Sequence, residues 1–106
     1  MELSIERVDR ISLVTVSGKV LPSDACEFGA ALDYELDTYQ LNIKLILSDA
    51  EFGSATLREM VRIQKRMMRT IILTEGVVIV NPSAQVLESL DLAELDTVFE
   101  IRYEKD

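Results

Sequence analysis

The chain has 106 residues, a single domain's worth, with 48% hydrophobic and 28% charged side chains, four glycines and two prolines, the balance of a globular protein. Its 19 acidic residues against 11 basic ones give a net charge of -8, which opposes whole-surface attraction to nucleic acid or to an anionic membrane and argues against either as a partner. Histidine is absent and Cys26 is the one cysteine, so the commonest general base, the commonest metal ligand and an internal disulfide are all excluded.

The opening "MELSIERVDR" mixes charges with isolated apolar residues. It lacks the apolar core of a signal peptide, and no run reaches the roughly 18 residues of a membrane span, so the cytoplasm is the expected compartment, without membrane insertion. Residues 3–8 and 11–18 are short β-branched runs separated by "DR", which predicts an antiparallel hairpin. In "LPSDACEFGAALDYELDTYQ", Ser23 stands as an N-cap with Asp24 in the first turn. Ala25, Phe28, Ala31, Leu32 and Leu36 then fall near helical spacing, predicting a helix over 24–38.

"NIKLILS" (42–48) reads as a buried central strand. The stretch "EFGSATLREM" (51–60) follows, with Ser54 and Thr56 at the junction between strand and helix. Thr56 and Glu59 have capping-box spacing, which makes Thr56 the expected structural cap. Apolar residues at 57, 60, 61, 63, 67, 68, 71 and 72 carry the helix to about Leu73. "VVIVN" (77–81) is a second buried strand. Asn81 is placed to cap a short helix beginning at Pro82 and running through "SAQVLESL". "DLAELDTV" supplies a last turn or short helix, and "FEIRY" (99–103) alternates as a closing strand. The order β-β-α-β-α-β-α-β predicts one α/β domain over 1–106, with a mixed four- to five-stranded sheet and helices packed on it.

That order, and the text filling it, resembles the STAS domain family, the bacterial anti-sigma-factor antagonists and related regulatory modules. "AEFGSATLREMVRIQKRM" is similar to the family's apolar strand, phosphoacceptor loop and following helix. "VVIVNPSAQVLESLDLAELDTVFEI" matches its strand, Asn-Pro-Ser turn, short amphipathic helix and last strand. The family loop commonly reads Asp-Ser-Ser-Gly-Leu, its first Ser phosphorylated by a kinase that is also the anti-sigma factor. Alignment on Leu57 sets Gly53, Ser54, Ala55 and Thr56 against the first four positions, with the Asp before and the Gly after the acceptor missing. Ser54 then takes the acceptor position, whereas a different placement of the gap selects Thr56. The resemblance implies a non-catalytic module that binds a serine kinase or anti-sigma-factor-like protein and is released by phosphorylation. The alternative it leaves open is a module without a phospho-switch, an accessory subunit of a transporter ATPase or a scaffold in a sensory complex. Homodimerisation through exposed edge strands also stays open.

Ser54 is expected in a loop just upstream of the helix, where a partner can reach it, and a phosphate there would sit at a helix N-terminus with Arg58 four residues on. Arg58, Arg62, Lys65, Arg66 and Arg69 put five of the eleven basic residues within twelve positions, on one side of the helix. Two readings of this stripe stand: a solvated face whose arginines lie over the core and meet nearby acids, or a docking surface for an acidic partner. Met60, Met67 and Met68 suit either an adaptable interface or core filling, and their spacing favours the core for Met60 and for Met67 or Met68, while Cys26 is expected to pack as a small apolar residue. Asp24, Glu27, Asp33, Glu35 and Asp37 form an acidic face that reads as solubilising, and Asp49 with Glu51 is too sparse for a cation site. No glycine-rich phosphate loop, Ser-His pair or metal-ligand cluster is present, so no catalysis, cofactor or metal is expected.

Overall fold

The computed structural model describes residues 1–69 and 76–104. Strand β1 (Glu2–Val8) and strand β2 (Ile11–Val20) form the antiparallel hairpin expected of the two β-branched runs, in register from Glu2 opposite Ser17 to Val8 opposite Ile11. Asp9 and Arg10, which join them, both have positive φ, 50° and 65°. That backbone twist suits a two-residue connection between right-twisted strands.

A short 3-10 turn (Pro22–Asp24) leads into helix α1 (Ala25–Thr38). Here the expected cap is corrected. Ser23 lies inside the turn, Asp24 holds the N-cap position, and its carboxylate accepts from Leu21 N–H at 3.0 Å instead of from α1. Strand β3 (Asn42–Phe52) is four residues longer than its apolar run, and helix α2 (Ser54–Met68) follows after Gly53 alone. Arg69 is the C-cap of α2, and the expected continuation to Leu73 falls on residues 70–75, outside the described residues. Strand β4 (Val78–Val80), helix α3 (Ala84–Leu92) and strand β5 (Glu100–Arg102) complete the predicted order. Ser83 caps α3, its Oγ accepting from Val86 N–H at 3.2 Å. Asn81, read as that cap, has φ 49° and exchanges two hydrogen bonds with the backbone of Glu104.

The five strands stand side by side in sequence order, β1 and β2 antiparallel and the rest parallel. Alternation within the strands turns Val14, Val16, Ile43, Leu45, Leu47 and Ile79 into one cluster. Phe28, Leu32 and Leu36 of α1, Leu57, Met60, Ile63 and Met67 of α2, and Val86 and Leu90 of α3 join the same cluster. The helices therefore cover one face of the sheet, a two-layer α/β arrangement. Gly29 leaves room for the end of the Glu59 side chain between α1 and α2, since a Cβ there would meet Glu59 Oε1 at 1.9 Å.

Two expectations for α1 do not survive. Cys26 is exposed instead of packed. The acidic face is divided: Glu35 is fully buried, accepting from Arg7 Nε at 2.9 Å, Arg7 Nη2 at 2.7 Å and Ser12 Oγ at 2.9 Å. Arg7 also stacks over the Tyr39 ring, 3.7 Å from its centroid. A charge goes inside here because a complementary fork and a hydroxyl replace its water.

Candidate functional site

The site is built where β3 ends and α2 begins. Because β3 continues to Phe52 beside Val20, the helix starts at Ser54, not near Leu57. Gly53 is the N-cap in extended conformation, and no side chain caps the first-turn amides. Thr56, expected to be that cap, is instead the third residue of the helix and only 1% exposed, continuing the buried stripe of Leu57, Met60, Ile63 and Met67. Glu59 does not return to the backbone but pairs with Arg62. Met67 is buried and Met68 is 65% exposed, which decides between the two.

Of the two candidate hydroxyls, Ser54 is exposed and Thr56 lies in the core. Ser54 borders two clefts. One, of about 370 Å³, runs between the end of β2 and the start of α2, lined by Lys19, Leu21, Glu51, Gly53, Thr56 and Gln85 among others. The other, of about 630 Å³, lies between α2 and the turn after α3, lined by Leu57, Arg58, Val61, Lys65, Ala93 and Leu95 among others.

The basic stripe is split. Arg62 clamps Asp33 of α1 with both terminal nitrogens, at 3.1 and 2.8 Å, and also pairs with Glu59. Arg66 reaches Asp33 at 2.7 Å and also bonds Asp37. These contacts raise the pKa of both guanidiniums, for Arg62 chiefly through the Asp33 hydrogen bond and for Arg66 chiefly through Asp37. Both arginines thus tie α2 to α1. Arg58, Lys65 and Arg69 have no carboxylate partner among the described residues, and Arg58 and Lys65 rim the larger cleft. The exposed site residues brought together are therefore Gly53, Ser54, Arg58 and Lys65.

Three residues that sequence reasoning passed over hold the site from behind. Ser83 N–H donates to Leu47 O at 3.0 Å and its Oγ to Ala50 O at 2.7 Å. Gln85 bonds both backbone groups of Phe52, and Ser89 Oγ donates to Phe52 O at 3.2 Å. The available signal was three polar residues, Ser83, Gln85 and Ser89, at and after the cap of the helix that follows "NP". Among the described residues no group of three or more His, Cys, Asp or Glu is placed to hold a metal ion, and no helix is long and apolar enough to cross a membrane.

No family model matches the sequence, and no curated protein matches it. Solved structures do resemble it throughout. The anti-sigma factor antagonist SpoIIAA in its unphosphorylated form superposes with a TM-score of 0.78 over 99% of this chain and 90% of its own, at 13% identity. An anti-sigma factor antagonist of Mycobacterium paratuberculosis gives 0.77 over 95% and 84%, at 21% identity. A STAS domain protein of Planctomyces limnophilus gives 0.71 over 98% and 91%, at 18% identity. The fold of this chain is the STAS fold.

Proposed function

We propose that this chain is a non-catalytic regulatory module of the anti-sigma-factor antagonist type, working in the cytoplasm. It binds a serine kinase or anti-sigma-factor-like protein across the surface around Ser54, and phosphorylation of Ser54 releases it. The observation that carries this reading is the position of Ser54, exposed, first in a fifteen-residue helix without a side-chain cap, and on the rim shared by two clefts. A phosphate there adds about -1.5 to -2 charges where the helix dipole and free amides tolerate them. The fold keeps its stability while a partner seated over both clefts meets a new charge, which is what an on/off binding switch requires. Arg58 and Lys65 supply a local attraction for an acidic partner on a chain whose net charge is -8. The fold shared with anti-sigma factor antagonists supports the same class of action.

One observation favours a second reading. Only Gly53 separates β3 from α2, and Ser54 is preceded by Gly and followed by Ala, where the family loop has an Asp before the acceptor and a Gly two residues after it. A binding module without a phospho-switch, serving a transporter ATPase or a sensory scaffold, would have no need of that loop. Incubation with ATP and the serine kinase encoded nearest to this chain, followed by intact-mass and peptide analysis, separates the two. A single phosphate on Ser54 supports the switch. No phosphate, with a kinase that remains active on itself, replaces it with the constitutive module.

A further inference from the structure

The two edges of the sheet differ. Strand β5 ends one side with three residues. Strand β1 ends the other with seven, paired to β2 from Glu2 to Val8 without a bulge and without a proline. Short strands, bulges, prolines and inward-pointing charges are the devices that keep an edge from pairing with another chain. The one charge that β1 turns toward the helices is Arg7, and the Glu35 carboxylate takes it up through two hydrogen bonds. The long edge therefore lacks the protection that the short one has.

The hairpin fixes which backbone groups face outward. Asp9 and Arg10 form a two-residue connection with positive φ at both positions, so Val8 and Ile11 close it as a hydrogen-bonded pair. Bonding alternates from there. Glu6, Ser4 and Glu2 spend their backbone groups on β2, and the N–H and C=O of Leu3, Ile5 and Arg7 point away from the sheet. Among the described residues no strand meets them. On the face that the helices cover, Leu3 and Ile5 pack half-buried against the core, and Arg7 stacks on Tyr39, whose ring meets Tyr34 edge-on with centroids 6.3 Å apart. Both tyrosines are exposed, Tyr34 by 57% and Tyr39 by 41%.

A strand laid along this edge has to be apolar on the helix side and to offer something other than an acid opposite Glu2 and Glu6. Strand β1 of a second copy does so in one register. Antiparallel pairing about a two-fold axis at Ile5 sets Ile5 against Ile5 and Leu3 against Arg7, and every outward N–H and C=O then finds a partner. Leu3 of the second copy comes beside Arg7, where the exposed rings of Tyr39 and Tyr34 stand. On the opposite face Ser4 meets Glu6 and Glu2 meets Val8. A slip of two residues in either direction shortens the pairing and sets Glu2 against Glu6, or Glu6 against itself, and directly opposed like charges destabilise a strand pair.

We propose that the chain forms a two-fold homodimer in which the β1 strands pair antiparallel about Ile5 and join the two sheets into one. The proposal goes beyond the regulatory reading and does not rest on it, since no residue of β1 lines either cleft that Ser54 borders.

The test is sedimentation equilibrium of the unaltered chain at concentrations up to millimolar, with amide exchange at both ends of the range. A reversible monomer–dimer equilibrium is expected. The amides of Leu3, Ile5 and Arg7 should gain protection as concentration rises, with those of Ser4 and Glu6, already bonded to β2, as the control. Ser4 is exposed and faces away from the helices, so its charge can be varied without disturbing the core. At low ionic strength Ser4→Lys, which meets Glu6 of the second copy twice across the axis, is expected to tighten the dimer roughly tenfold, and Ser4→Glu to weaken it by a similar factor. Adding Glu6→Lys to Ser4→Glu should restore pairing. Thr15→Lys, which places the same charge on the neighbouring strand, should leave the dimer close to that of the unaltered chain. A chain that stays monomeric at millimolar concentration leaves the edge to solvent or to a strand of another protein, and overturns the proposal. So does a dimer in which the Leu3, Ile5 and Arg7 amides gain no protection, or one that Ser4→Lys and Ser4→Glu shift alike. Loss of the dimer leaves the Ser54 switch standing, and loss of the switch leaves the dimer standing.

Discussion

The side-chain amide of Gln85 closes both backbone hydrogen bonds of Phe52, its Oε1 accepting from Phe52 N–H at 2.9 Å and its Nε2 donating to Phe52 O at 2.8 Å. Strand β4 pairs with only Lys44, Leu45 and Ile46 of β3, so the last residues of β3 overhang their neighbour. Gln85 takes the place of the missing strand, and Ser83 does the same for Leu47 and Ala50. Ser54 is thus presented from a strand end that α3 holds in place. Gln85→Ala leaves Phe52 N–H and C=O partly buried and short of partners, and is expected to cost about 1–3 kcal/mol. Chemical denaturation together with amide exchange checks this. The Phe52 amide should exchange faster while amides of the β1–β2 hairpin keep their protection, and unchanged exchange at Phe52 would contradict the assignment.

The hairpin, the helices and the buried strands were legible because their apolar residues repeat with period 2 or near 3.6. The start of α2 was not, because it depends on contacts from elsewhere in the chain. "SDAEF" looks like a loop by composition, yet parallel pairing with residues 17–20 of β2 makes it strand, and Ser83 and Gln85, more than thirty residues away, close its other edge. Moving the helix start to Ser54 takes Thr56 from the cap position into the buried stripe, so a correct capping-box spacing pointed to the wrong role. The acidic residues of α1 misled for a related reason. Charges read as a solvated face unless their partners are known, and those of Glu35 lie on β1 and β2. The exposure of Ser54 was readable from its small polar surroundings, but its place was not: it is the first residue of α2 and not part of a loop before it.

Glu35 anchors the end of the molecule where the β1–β2 hairpin turns. Ser12, also fully buried, donates to it at 2.9 Å. Ser12→Ala removes a buried hydrogen bond to a charged acceptor and is expected to cost about 1.5–3 kcal/mol. Glu35→Ala is expected to be more damaging, because it strands both the Arg7 fork and the Ser12 hydroxyl. Urea melts of the two variants give the order, and Ser12→Ala falling as far as Glu35→Ala would mean that the Arg7 contact adds nothing.

The split of the basic stripe separates stability from binding. Arg62 is engaged by Asp33 and Glu59, whereas Arg58 meets no carboxylate among the described residues. Arg62→Gln is expected to lower stability by up to about 1 kcal/mol, the range of partly exposed pairs in a network. Arg58→Gln should leave the melting temperature unchanged while slowing association with an acidic partner, an effect that added salt removes. Equal loss of stability in the two variants would show that the stripe is not divided.

Asp33 makes the contact between α1 and α2 dependent on pH. The Arg62 hydrogen bonds, with those of Arg66 behind them, hold its carboxyl below the usual carboxylate range, while partial burial acts in the opposite sense. A carboxylate whose folded pKa lies below its unfolded value of about 3.9 contributes stability that is fully present above that value and is lost as pH falls through the folded one. Neither arginine titrates in this range, so the dependence belongs to the acid. Asp33→Asn should therefore be less stable than the unaltered chain by a constant margin from about pH 7 to about pH 5. The margin should begin to close near pH 4 and disappear at more acid pH, where the unaltered chain has also lost the charge. Denaturant melts of the two proteins across this range measure the margin directly. A margin that persists undiminished below pH 3 would mean that Asp33 holds α2 through hydrogen-bond geometry that asparagine cannot copy, and not through its charge.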